Sequence, residues 1–247
     1  MIKLAFLFLV FVSNLYAGTI DPVVSDKKYI EYGSKFECVG IISGVYNNDQ
    51  QFMASGVAID NHHVLTAAHV VKNSVSCRFI TSDGREICLN KVIYHKDFIE
   101  KNYGFFDIAI CFSEEPINLN SYPDLYTNND EVEKICSIAG YGFYGTFETG
   151  AINIDNKKRA GLNIIDSIDN HLLVCTPSYP DDAKKTKLEF IIATGDSGGG
   201  LFIGEKLAGI NSCIMAKDKK PNSSYTDESG HTRISQFVDW IIIHKSK

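Results

Sequence analysis

Long hydrophobic runs are missing from this 247-residue chain, and so is any stripe of lysine and arginine. A membrane-spanning helix needs ~20 consecutive apolar residues, and the most apolar stretch, Leu4 to Val12, falls well short of that. A formal net charge of -6 disfavours nucleic acid or an anionic bilayer as partner, because either would call for a basic surface. Cysteine spacings that would hold zinc are absent. The acids are scattered, and His62 and His63 are adjacent, so on a strand their side chains point to opposite faces. No metal or other cofactor is implied. Internal repeats and low-complexity tracts are also lacking, which removes solenoid and fibrous architectures.

What is present starts with "MIKLAFLFLVFVSNLYAG": one lysine, a short apolar run, then small and polar residues up to Ala17. This is the layout of a secretory signal peptide, so cleavage after Ala17 and a secreted or periplasmic product are expected. Lipid attachment is not expected, since no cysteine follows the site. Seven cysteines remain after export, and an odd count leaves at least one thiol unpaired. Cys77 and Cys88 flank "RFITSDGREI", whose Asp83-Gly84 suggests a hairpin turn that would set the two sulfurs face to face. Buried free thiols are the alternative.

With 45% apolar residues the chain can bury a sizeable core. Its apolar segments are short and broken by turn signals: "CVGIISGVY", "ASGVAI", "VSCRFI", "DIAICF", "KICSIAGYG", "GLFIG", "KLAGINS". That pattern predicts an all-β sandwich or barrel. Helix is expected only near Ala67 to Val71 and in "ISQFVDWIIIHK", where Phe237, Trp240, Ile241 and His244 recur at helical spacing. The polar, turn-rich stretch Ser113 to Glu131 marks a boundary between halves. The expected organisation is a signal peptide over 1–17, a first half over 18–115, a connection over 116–130 and a second half over 131–247. "PSYPDDAKKTK", Pro177 to Lys187, reads as a solvated surface loop.

Chemistry concentrates in "ATGDSGGGLFIG", where glycines crowd around Asp196 and Ser197. A serine hydroxyl is a weak nucleophile until a base takes its proton, and its tetrahedral adduct needs donors for the oxyanion. Two other segments are odd on structural grounds. His69 in "LTAAHVV" sits among small residues, and Asp107 heads the apolar strand "DIAICF", where a buried acid requires a partner. An imidazole would provide one.

"TAAH", "DIAI" and "GDSGG", in the order His, Asp, Ser, resemble the trypsin and chymotrypsin family of serine proteases. Chain order separates this pattern from subtilisin-like and α/β-hydrolase solutions. "GYG" at Gly140, "LAGINS" at Leu207 and "FVDWI" at Phe237 extend the resemblance over nearly the whole mature chain. It implies two six-stranded antiparallel β-barrels with the site in the cleft between them, plus a C-terminal helix. It also implies a monomer that hydrolyses polypeptide through an acyl-enzyme. His69 would be the base, Asp107 its orienting acid, Ser197 the nucleophile, and the Gly195 and Ser197 amides the oxyanion hole. Ser212 and the residues after it would pair with the substrate backbone.

Several departures from the family modify those expectations. Tryptic members carry aspartate six residues before the nucleophile; here that residue is Ile191, which disfavours cleavage after basic residues. Ile214, where many relatives have glycine, would narrow the same pocket. One family disulfide is replaced at both ends by Ala54 and Val70, and a second lacks its partner for Cys136, with Ile203 in its place. In zymogen-activated relatives a released N-terminal amine pairs with the acid beside the nucleophile. Asp196 is present, and Val23 is the nearest candidate terminus, with an internal lysine or tyrosine partner as the alternative. A protease-like binding protein without activity and an exported esterase are the competing readings.

Overall fold

The computed structural model describes residues 18–99 and 105–246. The expected signal peptide, 1–17, lies outside them. In chain order the strands of the first half are β2 (Val39–Tyr46), β3 (Gln51–Ala58), β4 (His63–Thr66), β5 (Ser74–Ile80), β6 (Glu86–Cys88), β7 (Lys91–Tyr94) and β8 (Ala109–Phe112), preceded by β1 (Gly18–Ile20). The second half contributes β9 (Ile135–Gly140), β10 (Tyr144–Thr146), β11 (Gly150–Asn153), β12 (Arg159–Ile164), β13 (Ser167–Asp169), β14 (Leu172–Cys175), β15 (Phe190–Ile191), β16 (Gly200–Ile203), β17 (Lys206–Ala216) and β18 (Asp227–Arg233). Three short helices complete the chain: α1 (Asp26–Gly33), α2 (Ala68–Val71) and α3 (Val238–Lys245).

The strands form two barrel-like sheets, ordered β6-β5-β2-β3-β4-β8-β7 and β12-β9-β16-β17-β18-β14-β13, with a smaller sheet β11-β10-β1-β15. Each large sheet therefore counts seven strands rather than six. The added members, β6 and β13, are three-residue hairpin partners at a sheet end. Alternation drives the pattern: in β5, Cys77 and Phe79 face the core while Ser76 and Arg78 face water. Apolar faces then close on themselves, Ile42, Val57, Leu65, Phe79 and Ile110 in one half and Ile138, Ile165, Leu173, Phe190 and Leu201 in the other.

Both chain ends cross the expected boundary. Strand β1 joins the second half, parallel to β10 and antiparallel to β15, and Tyr29 of α1 is buried in the second core. Helix α3 does the reverse, placing Ile241 in the first core, with Trp240 5.5 Å from the His95 ring. These swaps arise because a three-residue strand or an eight-residue helix gains more by covering an open sheet face than by standing alone. The connecting stretch contributes a single bridge, Leu125 to Leu207, and then Glu131, which is buried and binds Arg233 at 2.8 Å.

Two sequence expectations are overturned here. Cys88 faces solvent opposite Arg78, whereas Cys77 points into the core toward Cys111, so the Cys77–Cys88 pair does not form. All seven cysteines are free thiols, and Cys136 lies 3.8 Å from Cys175. Lys185, expected to be solvated, instead reaches 2.6 Å from the buried Asp21. Helix α1 was not anticipated, because two of its eight residues are aromatic and four are charged at spacings that leave a weak apolar stripe.

Candidate active site

The chemistry-bearing residues come from the ends of elements, where the backbone turns and side chains escape the sheet. His69 lies in α2, a single turn that begins as β4 ends. Asp107 stands two residues before β8, so its side chain enters the interface between the halves instead of a barrel interior. Ser197 sits in the turn between β15 and β16.

Asp107 is fully buried and its carboxylate is saturated with donors. Oδ1 accepts the His69 backbone N–H at 2.9 Å, and Oδ2 accepts His69 Nδ1 at 2.7 Å and the Ser212 hydroxyl at 2.6 Å. Burial by itself would raise the carboxyl, but the His69 charge and these hydrogen bonds outweigh it and hold the group below the ordinary carboxylate range. The acid is thus ionised at neutral pH, and its oxygen fixes the imidazole with a proton on Nδ1. The Thr232 hydroxyl also donates to the Asp107 carbonyl at 2.9 Å. Four donors to one residue thus come from both halves.

His69 and Ser197 line one cavity of about 650 Å³, together with Gly195. Around the serine, the turn is clamped from the first half by Ser55. Its N–H donates to the Ser197 carbonyl at 2.9 Å, and its hydroxyl donates to the Gly195 carbonyl at 2.8 Å and accepts the Tyr141 N–H at 2.9 Å. Gly195 has φ +88°, a conformation that favours glycine, and a Cβ there would sit 2.9 Å from Gly142 Cα. Among the described residues, neither of these two N–H groups donates to a backbone carbonyl. Backbone donors left without an acceptor are what a developing oxyanion needs.

Asp196 faces the opposite way, into the second barrel. It accepts the Gly142 N–H at 2.8 Å, the Ala193 N–H at 3.1 Å and the Gly18 N–H, with no cationic side chain in contact among the described residues. Burial pushes this carboxyl up to about 7 despite those bonds. Among the described residues neither a lysine nor a tyrosine side chain bonds to it, so the internal pairing expected there is replaced by backbone amides. Val23 is 82% exposed in a turn, away from that carboxylate. Gly18 lies against Asp196, and even a methyl group on it would sit 2.7 Å from Asp196 Oδ2 and 2.7 Å from the Phe190 ring.

The residues expected to contact substrate are placed unevenly. Ser212 is buried and engaged by Asp107, while Ile214 is half-exposed on β17 and packs against Ala193. Ile191 is 0% exposed, covered by β1 through its pairing with Thr19. Ala54 and Val70, where the family has a disulfide, are both nearly buried in the first core. Sequence reasoning missed Ser55 and Asn211. The latter's Nδ2 donates to the Ala139 and Asp196 carbonyls at 3.1 Å, and its Oδ1 accepts from His231 Nδ1 at 2.9 Å. Burial drives His231 down to about 3, so it is a neutral strut. A small polar residue within an apolar strand, as in "ASGVAI" or "LAGINS", was the available signal for both.

Replacing Asp107 by Asn keeps the shape but lets the amide favour the wrong imidazole tautomer, so kcat should fall about 10⁴-fold with little change in KM. Ser212→Ala removes one of three carboxylate bonds and should cost about tenfold. Steady-state kinetics on a peptide substrate check both, and a larger loss for Ser212→Ala than for Asp107→Asn would contradict this ordering.

Comparison with known proteins bears on the fold and the family. HL collagenase superposes with a TM-score of 0.69 at 17% identity, covering 86% of this chain and 94% of its own. Neuropsin, a serine protease expressed in the limbic system of mouse brain, gives 0.65 at 20% identity, covering 85% and 95%. No curated protein sequence matches the chain. The trypsin family profile matches residues 35–241, which takes in His69, Asp107 and Ser197 but not β1, Val23 or α1. The chain belongs to the trypsin family.

Proposed function

We propose that this chain is an exported serine endopeptidase. The observation that carries the reading is the buried Asp107 carboxylate 2.7 Å from His69 Nδ1, with the same imidazole lining a cavity shared by Ser197. In the proposed cycle Ser197 Oγ attacks the scissile carbonyl while His69 takes its proton. The oxyanion is held by the Gly195 and Ser197 N–H groups, and the imidazolium, steadied by Asp107, protonates the leaving amine. Water then repeats the sequence on the acyl-enzyme and frees Ser197. An extended peptide backbone would pair with β17 from Ser212 onward.

An organophosphonate that labels activated serines tests the reading. Adduct formation on Ser197, with peptide cleavage lost by about 10⁵-fold or more in Ser197→Ala and similarly in His69→Ala, is the expected outcome. An unlabelled Ser197 in folded protein would favour the inert binding homologue, and ester turnover without peptide cleavage the esterase.

Export also bears on Asp196. Hydrolysis of the Ala17–Gly18 bond would convert the amide N–H at that carboxylate into an ammonium, supplying the counter-charge that a buried acid lacks. In this reading leader removal alone would complete the site. The pH dependence separates the two forms. Where Gly18 remains an amide, the folded state holds a proton on Asp196 up to about 7 that the unfolded chain loses near 4. Stability then declines as pH rises through that window and levels off above it. With the free amine, the Asp196 pKa drops and the decline should vanish. Melting temperature against pH, for protein starting at Gly18 and for protein carrying one extra residue, checks this; coincident profiles would contradict it.

A further inference from the structure

The cleft is lopsided about Ser197. On the side of Ser212 and Ile214, where the acyl portion of a substrate would lie, the chain fills the space itself. Ile191, Ile192 and Ala193 are almost wholly buried, and the half-exposed Ile214 rests on Ala193. On the other side the 650 Å³ cavity opens directly from His69 and Ser197, and no residue of β17 lines it. The protonated imidazole delivers its proton to the leaving amine, so this cavity faces the residues after the scissile bond.

Its walls are aromatic and its floor is small. Tyr46 and Phe52, from the β2–β3 hairpin, stack at 4.5 Å with an interplanar angle of 24°, and the Tyr46 hydroxyl is tied to the Val70 carbonyl at 3.0 Å. Tyr141 and Phe143 form the facing wall, and Ala54 and Val70 make the floor. Ala54 and Val70 occupy the positions where relatives carry a disulfide, so the same replacement that removes a cross-link leaves an apolar recess beside the reactive centre. No Asp, Glu, Lys or Arg is among the described residues lining it. A recess of this size, whose described lining is largely apolar apart from Gln50, Gln51 and Thr194 and carries no fixed charge, takes a large uncharged side chain.

We propose that this chain selects polypeptides chiefly on the leaving-group side, preferring a large apolar or aromatic residue immediately after the scissile bond, seated between Phe52 and Phe143 over Ala54. This rests on the endopeptidase reading and adds the substrate class to it.

Acyl transfer tests the cavity separately from that reading. The enzyme is acylated with N-acetyl-alanine p-nitrophenyl ester, and the acyl-enzyme is offered phenylalaninamide, leucinamide, glycinamide or lysinamide at equal free-base concentration. The amine nitrogen attacks the Ser197 ester carbonyl, forms the amide bond and releases Oγ, which regains a proton through His69. Amide product relative to hydrolysis product reads how well each amine is held. Phenylalaninamide and leucinamide should be captured about 10- to 100-fold more efficiently than glycinamide or lysinamide. Ala54→Phe, which fills the floor, should reduce the phenylalaninamide-to-glycinamide ratio about tenfold. The wild-type series stands on its own if that variant does not fold. Equal capture of all four amines, or a preference for lysinamide, overturns the proposal and leaves the endopeptidase reading intact. Failure to release p-nitrophenol with acyl on Ser197 overturns that reading, and the proposal with it.

Discussion

One buried carboxylate sets the terms for the rest of the molecule. Asp107 sits where the two barrels meet, and removing a carboxylate from water costs several kcal/mol unless donors replace the lost hydration. The fold supplies those donors from both sides: the His69 amide and imidazole from the first half, and Ser212 from the second. The halves are consequently held in one relative position by the same bonds that orient the imidazole. Ser55 reinforces this from across the cleft by gripping the Ser197 turn through both its backbone and its hydroxyl.

The second buried acid, Asp196, has a different role because its donors are backbone amides and its burial is complete. Where Asp107 is held ionised by an adjacent imidazole, burial drives Asp196 toward protonation despite its amide donors and the Arg159 charge. Two buried carboxylates thus differ in their tendency to hold a proton through environment alone. The loop that presents Ser197 is tied to the first barrel through Ser55 and to the second through the Gly142 amide. The cleft it borders is closed on one side and open on the other, and β2 and β3, which carry Tyr46, Phe52 and Ala54, connect the open side to the core of the first half.

Much of this was legible in the sequence, for identifiable reasons. Period-two alternation in segments such as "SVSCRFI" reports a half-buried strand directly, and an acid at the head of "DIAICF" is conspicuous because its cost demands a partner. The unread parts depend on non-local geometry. Nothing in "GTI" indicates that it will slot between β10 and β15 from the far end of the chain, or that Gly18 will be the residue touching Asp196. The Cys77–Cys88 expectation failed because the hairpin register sets Arg78, not Cys77, opposite Cys88, and a one-residue offset reverses the face of every side chain. Ser55 looked like an ordinary strand serine because its partners lie on the other barrel.

The central claim is that Asp107 holds the His69 imidazole with its proton on Nδ1, leaving Nε2 to serve as the base. Nuclear magnetic resonance of protein labelled with ¹⁵N-histidine measures this directly. The account predicts a strongly deshielded, slowly exchanging proton coupled to His69 Nδ1, lost in Asp107→Asn. A neutral His69 carrying its proton on Nε2, or a ring exchanging as fast as an exposed histidine, would contradict it.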